Sequence, residues 1–183
     1  MKSGLKQEKG FTLIEVLAAI VILSIVSLVL TSYFTNAMSY SKSNQNKTIM
    51  VNLARNALFY VEKQDFDKMK EYFKSEENNS LEASKCQKVI DADDSVKCDD
   101  YRQLVEDTTI LNQVLNPSIN GVNYRIDIEY QRELHKEILS DLNKKDMAAY
   151  LLPVLVKVSR VDSSNGPQTQ SVVEGYITDE KIR

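Results

Sequence analysis

One carboxylate, Glu15, stands inside a run of apolar residues, and two cysteines, Cys86 and Cys98, stand in a polar stretch further on. These are the residues whose types and spacing could do chemistry. A charge at the centre of a lipid-facing helix costs roughly 2.5–3.5 kcal/mol. Glu15 therefore needs a partner, or a place near the water boundary. Cys86 and Cys98 allow one intramolecular bond, with two free thiols or an intermolecular bridge as the alternatives. In an oxidising compartment that bond would close a short loop, worth about 3 kcal/mol in the chain-entropy model. Other candidates carry less. His135 is the single histidine, set in Glu133-Leu134-His135-Lys136-Glu137. General-base work needs partners in reach, so a solvent-facing ring is expected. Asp91, Asp93, Asp94, Asp99 and Asp100 crowd the approach to Cys98. Clustered carboxylates suit a hard cation, but the D-x-D-x-D-G order and its turn glycine are missing, so a solvated acidic loop is expected. Two cysteines and a distant histidine do not make a tetrahedral zinc set. There is no nucleophile elbow, P-loop, metal-binding histidine pair or Gly-rich phosphate loop. The expectation is a non-enzyme, with no catalytic residue, no metal and no cofactor.

The element that holds Glu15 is legible from composition. Phe11 to Leu30 is apolar except at Thr12, Glu15, Ser24 and Ser27. As a helix it spans roughly 30 Å, the thickness of a bilayer's hydrocarbon core. Lys2, Lys6 and Lys9 precede it and are offset only by Glu8. The positive-inside rule then places residues 1–10 in the cytoplasm and the chain after the run outside. Setting aside those four charges and Glu15 from totals of 23 basic and 26 acidic residues leaves 20 against 24 in residues 35–183. An acidic head is a poor match for phosphate backbones, so direct nucleic-acid binding is not expected. A cleaved secretory signal fits poorly. The apolar run is longer than about 7–15 residues, and Leu30-Thr31-Ser32-Tyr33-Phe34 holds no small-residue cleavage pattern. A plain single-pass anchor explains neither Gly10 nor Glu15.

Lys9-Gly10-Phe11-Thr12-Leu13-Ile14-Glu15, followed by Val16-Leu17-Ala18-Ala19-Ile20-Val21, resembles the signal of type IV pilins and pseudopilins. The resemblance covers about residues 1–35. It implies cleavage between Gly10 and Phe11 by a prepilin peptidase, then N-methylation at Phe11. Gly10 has no side chain, so an extended backbone can enter a narrow protease cleft. The resemblance also implies that Glu15 serves filament assembly by meeting the new amine of Phe11 inside a helix bundle. Implied partners are other pilin subunits, the peptidase, membrane lipid and, indirectly, an assembly platform with its ATPase. The machine could be a type IV pilus, type II secretion or competence DNA uptake. A helix-kinking proline, common in major pilins, is absent before Pro117, which favours a minor subunit at the cell membrane, surface-exposed after assembly. The alternative is a surface binding module, adhesin or DNA receptor, displayed by a pilin-like anchor.

Residues 11–64 read as one helix, transmembrane over 11–34, because no Gly or Pro interrupts it. Ile49, Leu53, Ala57 and Val61, flanked by Met50, Ala54 and Leu58, form a stripe at helical spacing. Ser41 to Lys47 lacks any apolar residue and is either a solvated stretch or a fraying point. Residues 65–183 form the head. Tyr101, Leu104, Val105, Thr108, Leu111 and Leu115 predict a second helical stripe, stopped at Asn116-Pro117. After that the period becomes two. Val122 to Tyr130, Leu151 to Val161 and Ser171 to Thr178 read as strands, with Pro153 tolerated as an edge or first position. Leu134, Ile138, Leu139 and Leu142 place a short helix or ordered loop between the first two strands, and 163–167 is a turn. The whole is α+β: a long N-terminal helix with a small, mostly antiparallel sheet packed on its upper half.

Overall fold

A computed structural model of the chain describes residues 10–75, 78–88, 96–161 and 170–182. The leader lysines, the acidic positions Asp91, Asp93 and Asp94, and the 163–167 turn lie outside these residues. The chain divides into two compact units, Met1–Gln45 and Asn46–Arg183. The division falls within the first helix, α1 (Leu13–Glu62), whose 50 residues run unbroken through Ser41–Lys47. The layout is α+β, as expected.

Within the second unit, α1 buries Met50, Ala54, Ala57 and Val61. Their spacing of four, three and four puts them on one face. A short turn leads to α2 (Phe66–Lys74), capped by Asp65, whose side chain accepts from the Lys68 N–H at 3.1 Å. This helix buries Phe66, Met69 and Phe73. A two-residue strand β1 (Ser80–Leu81) follows, then a 3-10 turn at Ala83–Lys85. The hairpin β2 (Gln87–Lys88) and β3 (Val96–Lys97) comes next. Cys86 and Cys98 flank it, are buried, and are joined by a disulfide.

The expected stripe from Tyr101 to Leu115 is not one helix. Only α3 (Thr108–Leu115) is α-helical, and Tyr101 ends a 3-10 turn. The break comes from Asp107, whose carboxylate accepts from Thr109 N–H (2.7 Å) and Ile110 N–H (3.3 Å). A side chain that satisfies first-turn donors starts a helix at that point. The stripe's apolar members are still buried, because Tyr101 is anchored separately: its Oη accepts from the Glu82 N–H at 2.8 Å.

Then come β4 (Ser118–Ile119), β5 (Val122–Tyr130), α4 (Arg132–Ser140), α5 (Lys145–Ala148), β6 (Leu151–Val161) and β7 (Gln170–Thr178). Asn120 (φ 52°) and Gly121 (φ 75°) both take left-handed backbone in the two-residue β4–β5 loop, as a tight hairpin requires. The sheet is antiparallel in the order β1-β5-β6-β7, with β4 also on β5. Tyr124, Ile126, Ile128, Val154, Val156, Val158 and Ile177 join the α1 and α2 residues in one buried cluster. Fully burying an aliphatic side chain of this size is worth about 1.5–3 kcal/mol. The helix needs room on the sheet, and Gly175 supplies it. A Cβ there would run into the Leu58 side chain.

Two further expectations need correcting. Pro153 is neither at an edge nor first, since β6 pairs on both sides. It is tolerated because of the ladder's parity. Its carbonyl accepts from Gln131 N–H just past the end of β5. In an antiparallel strand a residue's N–H and C=O point the same way, so the missing N–H faces a place where β5 has stopped. His135 is not solvent-facing but 7% exposed. Its Nε2 lies 2.9 Å from the Ala148 carbonyl, an acceptor only, so Nε2 carries the proton. Nδ1 then accepts from the Tyr130 hydroxyl. Tyr130 stacks on Phe73, and Arg132 donates to the Phe73 and Ser75 carbonyls at the end of α2. The ring thus ties α4 to β5 and α5, while Leu139 and Leu142 of the expected stripe stay exposed.

Candidate functional site

Gly10 and Phe11 precede α1 in non-helical backbone. Nothing lies within 4 Å of the space a Cβ on Gly10 would fill, and Phe11 is 89% exposed. Among the described residues, none covers Gly10 on its Cβ side, and Phe11 stands in the open. Thr12 is the first residue to engage the helix. Its Oγ1 accepts from the Glu15 N–H (3.4 Å), and Glu15 Oε2 accepts from the Thr12 N–H (2.7 Å). The Thr12 hydroxyl also donates to the same carboxylate oxygen at 2.7 Å. This reciprocal pair is a capping box, Thr at the N-cap and Glu three positions on.

The cap resolves part of the cost of Glu15. A helix leaves its first four N–H groups without intrahelical partners. The partial positive charge at that end favours a carboxylate in the first turn. Glu15 is thus held at the one end of an apolar helix where a negative charge is matched. Thr12 is a site residue that sequence reasoning missed, although Thr12-Leu13-Ile14-Glu15 ahead of an apolar run is itself the signature of such a box. The carboxylate grips the N–H one residue beyond Phe11. A cut at Gly10–Phe11 would place a new amine on the adjacent nitrogen.

Beyond the cap, the helix shows its side chains outward. Leu13, Ile14, Leu17, Ile22, Leu28 and Val29 are all largely exposed. No residue from Phe11 to Asn44 is buried. The helix is long and apolar enough to cross a membrane. Some of its hydroxyls bond back to the helix itself. Ser24 donates to the Ile20 carbonyl (2.7 Å) and Thr31 to that of Ser27 (2.8 Å). Such bonds to the preceding turn let serine and threonine sit in apolar surroundings. Phe11, Glu15, Val16, Ala19, Ile20 and Leu23 line a shallow groove along the first turns, with Ala19 as its notch.

Residues 5–31 match the family model of the prokaryotic N-terminal methylation motif. The chain is type IV pilin-like at its N-terminus. No curated protein and no solved structure matches the chain. The pilin-like match spans the residues just before Gly10, the Gly10–Phe11 step, the capping box and most of the bare apolar helix. The head beyond it contributes the disulfide and the sheet. Among the described residues no group of three His, Cys, Asp or Glu is placed to hold a metal.

Proposed function

We propose that the protein is a minor pilin or pseudopilin, a structural subunit of a type IV pilus-like filament. A prepilin peptidase cuts between Gly10 and Phe11 on the cytoplasmic face, and the Phe11 amine is N-methylated. The helix then anchors the subunit in the membrane, with the head outside, until it is drawn into a bundle of like helices. The observation that carries this reading is the conjunction at residues 10–15. An unencumbered Gly10–Phe11 bond leads directly into a helix whose first turn holds a carboxylate and whose flank is bare apolar surface.

Glu15 has a role in each state. Before assembly, the capping box and the nearby boundary hold its charge. In a bundle from which lipid has been expelled, an unpaired charge would be disfavoured. The Phe11 amine supplies the partner, since an α-amino group with an ordinary pKa near 7.7–8.0 is held protonated by an adjacent carboxylate. Intact-mass measurement of the membrane form tests the reading. The expected species begins at Phe11 and carries one added methyl. Retention of residues 1–10 in cells with active prepilin peptidase would refute it.

A further inference from the structure

We infer that the free edge of β7 is a docking site for an extended, basic segment of a partner protein. The inference goes beyond the filament reading and does not depend on it. Parity in the β6–β7 ladder shows what that edge offers. Asp179 N–H donates to the Tyr150 carbonyl at 2.9 Å, which continues the β6–β7 register by one pair. The inward-bonding residues are therefore Ser171, Val173, Gly175 and Ile177. Backbone groups alternate in direction along an antiparallel strand. The N–H and C=O of Val172, Glu174 and Tyr176 thus aim away from β6. Among the described residues no strand lies beyond β7.

Long free edges are usually blunted by lysine, proline, a bulge or a cover. β7 has no lysine or proline, and its nine pairs with β6 run without a bulge. Val172 and Tyr176 are about half exposed, at 50% and 46%. Between them stands Glu174, whose position opposite Leu155 gives it no cation. Lys157 is diagonal to it, but bonds Glu129 on the other side. The edge therefore presents three pairs of backbone groups beneath an apolar–acidic–aromatic row.

That chemistry selects the occupant. A second copy pairing antiparallel about Glu174 would set two like charges directly opposite, which is destabilising. Sliding the register by two residues would leave Glu174 facing Val172 with no counter-charge. A copy cannot add its β5 edge instead, because β1 and β4 occupy that edge. A foreign strand with lysine or arginine opposite Glu174, and β-branched or aromatic residues two positions to either side, satisfies all three rows. Glu174 both discourages self-pairing and recruits the basic strand.

The test uses the full chain in detergent micelles and two nine-residue peptides of alternating valine and threonine, one with a central lysine and one with a central glutamate. Amide hydrogen exchange is followed residue by residue. The lysine peptide should slow exchange at Val172, Glu174 and Tyr176 and bind roughly fivefold to tenfold tighter than the glutamate peptide. Glu174→Lys should invert that preference, and Glu174→Gln should abolish it. Four results would overturn the inference: protection of the three amides before peptide is added, protection by neither peptide, equal binding of both, or protection that grows with protein concentration alone.

Discussion

The two units of this chain solve opposite problems with similar residue types. In residues 10–45, isoleucine, leucine and valine cover the outside of a helix and none is buried. In residues 46–182, the same residue types, joined by Met50 and by Phe66, Met69 and Phe73 of α2, fill a cluster shared by α1, α2, α3 and the sheet. Apolar surface left in water is unfavourable by about 25 cal/mol per Å². The first unit must therefore borrow its environment from lipid or neighbouring helices, while the second carries its own. A substitution in one should be read in assembly, and in the other in folding.

The sharpest way to break that distinction is Glu15→Ala. Insertion and cleavage should be unchanged, the head should unfold as before, and recovery of the subunit in sheared filaments should fall to background. Normal recovery would show that the amine–carboxylate pairing is not used. Next in size is a matched pair of truncations. Phe73→Ala, at a fully buried site, should cost about 3–5 kcal/mol in denaturant unfolding of the head. Leu28→Ala, at a site 73% exposed, should stay within about 0.5 kcal/mol by the same measurement. Equal effects would mean that the first unit is not independent of the folding of the second.

Replacing both cysteines, Cys86→Ser with Cys98→Ser, should lower head stability by about 3 kcal/mol and leave filament incorporation intact at low temperature. Gly175→Ala should cost about 1 kcal/mol through its collision with Leu58. In a Leu58→Ala background that extra cost should vanish, which a double-mutant cycle reads directly. The smallest effect is acid-dependent. The Asn143 N–H, 2.9 Å away, and then Lys144 hold the Asp141 carboxyl below the usual carboxylate range. Its contribution is present above the unfolded value of about 3.9 and is lost as pH falls through the lower folded value. Faster exchange of the Asn143 amide should therefore appear only in strong acid, and Asp141→Asn should remove that pH dependence.

Strands β5 and β6 were legible to the residue, β5 from apolar–polar alternation along its nine positions and β6 from a valine-rich run whose valines at 154, 156 and 158 share one face. The α1 stripe was legible for the same reason at a period of 3.6. The stripe at Tyr101–Leu115 misled, since spacing alone does not reveal that Asp107 starts a new helix in the middle of it. His135 misled for a different reason. Its neighbours in sequence are charged, but its partners Tyr130 and Ala148 arrive from a strand and another helix. At the N-terminus the Gly10–Phe11 step and the carboxylate stand out in a short motif, while the bond between Thr12 and Glu15 needed the helix's first turn.

Sequence by itself determined whatever depends on local order: the apolar run, the Gly10–Phe11–Glu15 spacing, the strand periods and the candidate cysteine pair. Those signals come from neighbours along the chain, whose geometry is set by helix and strand repeats. Tertiary structure alone decided which strand became the open edge, why Pro153 could sit between two partners, and that a histidine in a charged stretch would be buried. Each of these turns on which groups meet across long separations, and only the packed head brings those groups together.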